Sequence, residues 1–121
     1  MHRSLLLLVF VCFTASLALA QDPVKVDPQH YKVIFENDQV RVLRIHYGPH
    51  EKSVMHVHPD AVVVYETDAR MKMSTPDGKS VETEGKAHGS QWTPAGSHLP
   101  ENLSDKAVDA VLVELKTKAG H

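Results

Sequence analysis

Residues 54–65 read Val-Met-His-Val-His-Pro-Asp-Ala-Val-Val-Val-Tyr, and this stretch gives the clearest indication of the secondary structure. It contains two strand-like runs, 54–58 and 61–67, which a Pro-Asp pair separates. The second run is short, apolar and rich in β-branched residues, a composition that favours a buried strand. In the first run His56 and His58 are one residue apart, so on a strand both imidazoles lie on the same face. The stretch therefore predicts β-structure with two neighbouring histidine side chains.

Similar short runs continue on both sides of this stretch, separated by turn residues. Pro76-Asp77-Gly78 separates two of them, and proline followed by Asp-Gly is a hairpin signal. Apolar residues nowhere keep a 3.6-residue period over three turns, as a long amphipathic helix requires. The pattern predicts one all-β domain over residues 31–116, an antiparallel sandwich or barrel, with a tail at 117–121. The predicted strands cover 31–35, 40–47, 54–58, 61–67, 69–75, 79–84, 90–93 and 107–115, with a tight loop at 94–96.

The first twenty residues differ in kind from the rest. They have a cationic start with Arg3, an apolar run over 5–17, and an Ala-Leu-Ala sequence ending at Ala20. This is the form of a secretory signal peptide, and its apolar run is shorter than the ~20 residues of a membrane span. We expect cleavage after Ala20 and export, either to the periplasm or out of the cell. Residues 21–30 contain two prolines and no periodicity, which predicts an extended N-terminal lead-in.

The composition of the remaining 101 residues excludes several classes of protein. Loss of Arg3 leaves 12 basic against 15 acidic residues without a basic stripe, so nucleic acid is not an expected partner. The only cysteine, Cys12, falls in the signal segment, which excludes disulfides and thiol catalysis in the mature chain. No glycine-rich loop precedes a helix, so a phosphate-bearing organic cofactor is not expected. A membrane span in the mature form is not expected either.

Nine histidines are present in the chain, and one of them can join the pair at 56 and 58. His98 follows a Pro-Ala-Gly turn, which can direct its imidazole back into the mouth of a barrel. Together with His56 and His58 it forms a candidate set of three metal ligands. The other six histidines are expected to be exposed to solvent and without a role; they are His2, His30, His46, His50, His88 and His121.

Two motifs in the chain resemble those of the cupin superfamily, which are G-x5-H-x-H-x3-4-E-x6-G and G-x5-P-x-G-x2-H-x3-N. This chain has Gly48 ahead of His56-Val57-His58, and then Pro94-Ala-Gly96-Ser-His98-Leu-Pro-Glu-Asn102. The resemblance covers residues 31–116 and implies a small antiparallel jelly-roll β-barrel with the motif residues at its centre. It also implies that Asn102 points inward and supports the backbone near the last histidine, so that its Asn-Leu-Ser glycosylation sequence is not used.

The chain departs from these motifs at the glutamate ligand. Val62 and Val63 occupy the positions where the family has glutamate, and Glu66 comes too late. The resemblance therefore implies a metal shell made of the three histidines alone, with positions left open as in catalytic sites. Three imidazoles suit iron, zinc, nickel or copper alike. The alternative is a cupin without metal, in which the histidines pack and form hydrogen bonds.

Cupins with three-histidine shells include iron dioxygenases that cleave diketones or oxidise thiols. The resemblance implies a metal-dependent oxidoreductase that acts on a small oxygen-bearing molecule. Two alternatives stay open: a non-redox isomerase or lyase, and a protein that binds a small molecule without catalysis. Glu101, next to the second motif, is either a group that accepts a proton or orients a histidine, or a solvated loop residue. The resemblance further implies a homodimer formed through edge strands, either 31–35 or the terminal strand.

Overall fold

The computed structural model describes residues 21–117, which form one short helix and nine strands. The elements in chain order are α1 (Pro23–Val26), β1 (Tyr31–Glu36), β2 (Val40–Tyr47), β3 (His56–His58), β4 (Ala61–Tyr65), β5 (Ala69–Ser74), β6 (Ser80–Gly85), β7 (Ser90–Thr93), β8 (Gly96–Asn102) and β9 (Val108–Leu115). The predicted signal segment, with Cys12, His2 and the cleavage position, lies outside the described residues, as does His121. Within residues 21–117, no helix has the length and apolarity needed to cross a membrane.

The strands form two sheets with an apolar interior between them. The five-stranded sheet has the order β1-β2-β9-β4-β7, and the four-stranded sheet has the order β3-β8-β5-β6. All of their strand pairs are antiparallel. Because no strand of the described range belongs to both sheets, the barrel is an open jelly roll and not a closed cylinder. The predicted all-β antiparallel jelly-roll architecture is confirmed.

Strand β9 lies in the middle of the five-stranded sheet, between β2 and β4. Its residues alternate between buried and less buried positions, as expected for a strand with one face against a core. The buried positions are Val108, Ala110, Leu112 and Glu114. The first three belong to the hydrophobic core. The fourth position of this apolar series is thus occupied by a carboxylate.

The hairpin between β5 and β6 forms where its turn residues predict it. The Thr75 N–H donates to the Lys79 carbonyl at 2.9 Å. Gly78 has φ +84°, a left-handed conformation that glycine adopts without steric cost.

The prediction of an extended lead-in over residues 21–30 is wrong at 23–26, which form the single turn α1. The Asp22 carboxylate accepts a hydrogen bond from the Val24 N–H at 3.1 Å and caps the turn. Pro23 occupies its first position, where the missing N–H of proline costs nothing.

Candidate metal centre

Strands β3 and β8 bring together the three histidines that the sequence motifs single out. His56 and His58 lie on one face of β3, and His56 is paired with His98 on β8. The Nε2 atoms of His56 and His98 are 3.1 Å apart, and one nitrogen of each of the three rings lies within 4.8 Å of the others. His58 is paired with Gly96, which adds no side chain to the space beside it. Three nitrogen donors therefore converge at one place.

His98 reaches this cluster from a strand, whereas the sequence places it after a tight loop. Gly96–Asn102 forms β8 because β3 pairs with its first half and β5 with its second half. Pro100 lies within it, and proline is unfavourable inside a sheet because it donates no hydrogen bond to the ladder. This residue is the reason why the sequence pattern did not reveal the strand.

Hydrogen bonds on the far side of two rings fix which nitrogen points into the cluster. His56 Nδ1 lies 2.8 Å from the Val54 carbonyl oxygen, and His58 Nδ1 lies 2.7 Å from Oε2 of Glu114. A carbonyl and an ionised carboxylate only accept, so both Nδ1 atoms donate. Nε2 is therefore the nitrogen of each ring that faces the cluster, as in histidines that ligate metals.

Glu114 is the carboxylate that sequence reasoning missed. It is 1% exposed. Besides His58, it bonds Arg41, whose Nε donates to Oε1 at 2.6 Å. Burial acts to raise the pKa of Glu114, but the hydrogen bonds from His58 and Arg41 outweigh it and hold the pKa below its usual range. The only signal in the sequence was its place: it occupies an inward position on a strand whose other inward residues are apolar.

Burial disfavours the charged form of two of the three rings. It lowers the pKa of His56 to about 4 and that of His98 to about 3, and the neighbouring imidazoles act in the same direction. Neutral imidazole is the form that binds a metal ion, so near pH 7 these two rings need not lose a proton first.

The spacing of the His56 and His98 nitrogens also fits a metal ion. Two nitrogens ~2.1 Å from one ion lie about 3.0 Å apart at a right angle and about 3.4 Å apart at the tetrahedral angle. The 3.1 Å between the Nε2 atoms of His56 and His98 falls within this range. The described residues therefore fit a three-histidine centre for a divalent ion.

The two remaining candidates from the second motif lie on opposite faces of β8. Asn102 is fully buried, and its Nδ2 donates to the carbonyls of Gly48 at 3.0 Å and Lys106 at 2.7 Å. It therefore supports the backbone, and its burial leaves no room for a glycan. The side chain of Glu101 alternates to the other face, and its backbone forms an isolated antiparallel β-bridge with that of Lys52. The structure does not bring Glu101 to the histidines; Glu114 is the acid that orients one of them.

The expectation that His30 is exposed to solvent is wrong. Its side chain is buried, with Nδ1 2.8 Å from the Asp27 carboxylate and Nε2 2.5 Å from Oε2 of Glu51. Its ring stacks on Tyr47 with the centroids 4.4 Å apart. The residue can be buried because both of its nitrogens have a partner. The other histidines of the described range that were expected to be exposed are so, namely His46, His50 and His88.

A cavity of about 240 Å³ lies between the two sheets, and His58 and His98 form part of its wall. The rest of the wall is mostly apolar and aromatic, and the described residues that line it include no aspartate, glutamate, lysine or arginine. Thr83 and Gln91 are among its few polar groups. Trp92 lines the cavity while 56% exposed, so it stands at the mouth.

Comparison with solved structures places this geometry in a family. A cupin domain from Bordetella pertussis Tohama I is 30% identical, over 72% of this chain and 92% of that chain, with a TM-score of 0.66. The chain belongs to the cupin superfamily.

More distant structures share the fold. A conserved protein with a double-stranded β-helix domain from Klebsiella pneumoniae is 22% identical over 74% of this chain and 78% of that chain, with a TM-score of 0.58. An RmlC-like cupin family protein from Methanocaldococcus jannaschii is 13% identical over 70% and 77%, with a TM-score of 0.56. No protein-family model and no curated protein matches the sequence.

Replacement of Glu114 tests whether this carboxylate supports the centre. Glu114→Gln keeps the shape but removes the charge that holds His58, so the affinity for Zn²⁺ should fall by roughly 10- to 100-fold. Competition with a chromogenic chelator measures this affinity. Glu101→Gln, on the opposite face of β8, is the matched control and should bind like the wild type. Equal losses in the two variants would contradict the assignment.

Proposed function

We propose that the protein is an exported, metal-dependent cupin that acts on a small, largely apolar, oxygen-bearing molecule as an oxidoreductase of the dioxygenase class. The observation that carries the proposal is the position of the three imidazoles. One nitrogen of each converges with the others beside an apolar cavity whose wall includes His58 and His98, so an ion held there faces the cavity directly.

The cavity supports metal-centred chemistry over acid–base chemistry. A redox-capable ion, when bound, would supply open positions for a substrate oxygen and for dioxygen. The protein's own side chains hold the ligand rings in place and exclude water. An isomerase or lyase needs a positioned acid or base. With His58 and His98 bound to the ion, the described residues of the wall offer only hydroxyl and amide groups, without a carboxylate or a lysine.

The same cavity limits the size and the polarity of the substrate. Its volume of about 240 Å³ is below the ~300–1,000 Å³ that is typical of sites for drug-sized ligands. An apolar wall without lysine or arginine among the described residues favours a molecule whose remainder is uncharged. A single ring or a short chain with one or two oxygen donors meets both conditions.

Metal analysis tests the centre. Protein purified without an affinity tag and loaded with Fe(II), Zn²⁺, Ni²⁺ or Cu²⁺ should hold about one ion per chain. His98→Ala should lose the ion because two imidazoles remain, whereas His46→Ala, which removes an exposed histidine, should keep it. Elemental analysis gives the stoichiometry. A wild type that takes up none of the four ions would refute the metal centre.

Oxygen uptake by the loaded protein then separates the reaction classes. An oxidoreductase consumes dioxygen with Fe(II) and a small diketone, phenol or thiol, whereas an isomerase or lyase turns substrate over with Zn²⁺ or Ni²⁺ and without oxygen.

A metal-free binding protein is the second candidate, and one distance favours it. The 3.1 Å between the Nε2 atoms also fits an N–H of His98 that donates to the lone pair of His56. In that case ligands enter the cavity without an ion. Trp92 is the only tryptophan in the chain, so its fluorescence reports ligand binding at the mouth in the presence and absence of a chelator.

The proposal that the protein is exported rests on the first twenty residues, which have the form of a signal peptide. The mature protein recovered from the periplasm or the medium should begin at Gln21, because signal peptidase cleaves after an Ala-x-Ala sequence. Intact-mass spectrometry of the exported protein checks this position. A chain that stays in the cytoplasm and keeps Met1 would show that the segment is not a signal.

Strand β1 supports a homodimer. It is an edge strand, and its apolar residues Val33, Ile34 and Phe35 are 42%, 49% and 53% exposed. An apolar edge is a template for pairing with another strand. In antiparallel pairing with a second copy about Ile34, Lys32 of each copy lies opposite Glu36 of the other, so the charges are complementary.

Sedimentation velocity of an edge variant tests the dimer. Ile34→Lys places two like charges at the centre of the pairing and should convert a dimer to a monomer. Val81→Lys adds the same charge on β6, the edge of the other sheet, and should leave the dimer intact. A wild type that sediments as a monomer at tens of micromolar would contradict the proposal.

A further inference from the structure

The N-terminal segment, residues 21–27, supplies none of the three histidines but contacts β3, the strand that carries two of them. The Gln21 carbonyl accepts a hydrogen bond at 2.9 Å from the N–H of Val57, the residue between His56 and His58. The segment therefore adds a hydrogen bond to β3 from outside the two sheets. Its two carboxylates, Asp22 and Asp27, each begin a separate chain of hydrogen bonds.

The first chain runs from Asp22 to His58. The Asp22 carboxylate accepts from Nη1 and Nη2 of Arg41 at 2.8 and 2.9 Å, and Nε of the same guanidinium donates to Glu114 at 2.6 Å. Glu114 in turn accepts from Nδ1 of His58 at 2.7 Å. A guanidinium is planar and rigid, so a bidentate carboxylate on one side sets the direction of the N–H on the other.

The second chain runs from Asp27 to His56. The buried Asp27 carboxylate accepts from the Ser53 hydroxyl and from His30. The Ser53 oxygen lies 3.3 Å from Nδ1 of His56, on the side of that ring away from the cluster. The carboxylate thus holds the hydroxyl that packs against the second ligand ring.

One helical turn fixes the spacing of the two chains. The Asp22 side chain caps the start of α1, and the N–H of Asp27 donates to the Pro23 carbonyl at its end. Both carboxylates are therefore positioned by the same helical turn, and each leads to a different histidine of β3.

We infer that residues 21–27 are a positioning element of the metal centre, in which Asp22 orients His58 through Arg41 and Glu114, and Asp27 orients His56 through Ser53. This inference rests on the proposed metal binding. It assigns two positioning residues that contact neither the ion nor the cavity. Metal affinity and the coordination geometry then depend on a segment that contributes no ligand.

Binding of Co(II), a spectroscopic probe, tests the inference in the full chain. Asp22→Asn and Asp27→Asn should each keep a stoichiometry of one ion but lower the affinity by roughly tenfold or more, and should shift the visible Co(II) absorption bands. Asp38→Asn removes an exposed turn carboxylate and is the matched control. Asp22→Glu keeps the charge and should restore most of the affinity.

Double variants separate positioning from a general loss of stability. Asp22→Asn should have little further effect in a Glu114→Gln background, since both changes break the same chain, whereas its effect should add to that of Asp27→Asn. Urea unfolding in a chelator confirms that each variant is folded.

If the wild type binds Co(II) and both asparagine variants bind like Asp38→Asn, the inference is refuted while the metal centre stands. If the wild type binds no Co(II), the proposed metal binding itself fails.

Discussion

The hydrogen bonds of the buried Glu114 carboxylate with Arg41 and His58 are the interaction on which the rest of the structure depends. A carboxylate at 1% exposure is costly unless it is paired and hydrogen-bonded. Its partners come from both sheets: Arg41 lies on β2 of the five-stranded sheet, and His58 lies on β3 of the four-stranded sheet. The requirement to satisfy one charge therefore ties the two sheets together at the end of the barrel where the histidines meet.

This carboxylate lies near the histidines although the glutamate of the family motif is absent from the chain. Val62 and Val63 stand on β4 where the motif has glutamate, and β4 pairs with β9 so that Ala61 lies opposite Glu114. In this chain the acid lies on the adjacent strand, where it contacts Nδ1 of His58 and not the space between the rings. The consequence is a set of three imidazole donors with no carboxylate among them. An ion bound by them keeps its full charge for oxygen atoms in the cavity, and the carboxylate acts on it only through an imidazole.

The sequence predicts the parts of this site that depend on local spacing, and misses those that depend on distant pairing. Alternation along a strand is enough to place His56 and His58 on one face, and the Pro-x-Gly motif identifies His98. The role of Glu114 follows from contacts with residues 56 and 73 positions away, which no local pattern encodes. The expected exposure of His30 is wrong for the same reason, because its burial depends on the carboxylate of Glu51, which is 21 positions away in the sequence.

The two ring nitrogens of each histidine on β3 have different surroundings. Polar groups lie on the Nδ1 side, and mostly apolar residues line the cavity near the Nε2 side. The Nδ1 side faces the Glu114 carboxylate for one ring, and a hydroxyl and a carbonyl for the other, which fix the orientation of the rings. The Nε2 side faces the cluster beside a cavity with an apolar wall, where ligand and water have few other partners. In such low-dielectric surroundings a charged hydrogen bond is stronger and an unpaired polar group is more costly. Substitutions in the cavity wall can therefore change which molecule binds, while the hydrogen bonds behind the rings preserve the geometry of the centre.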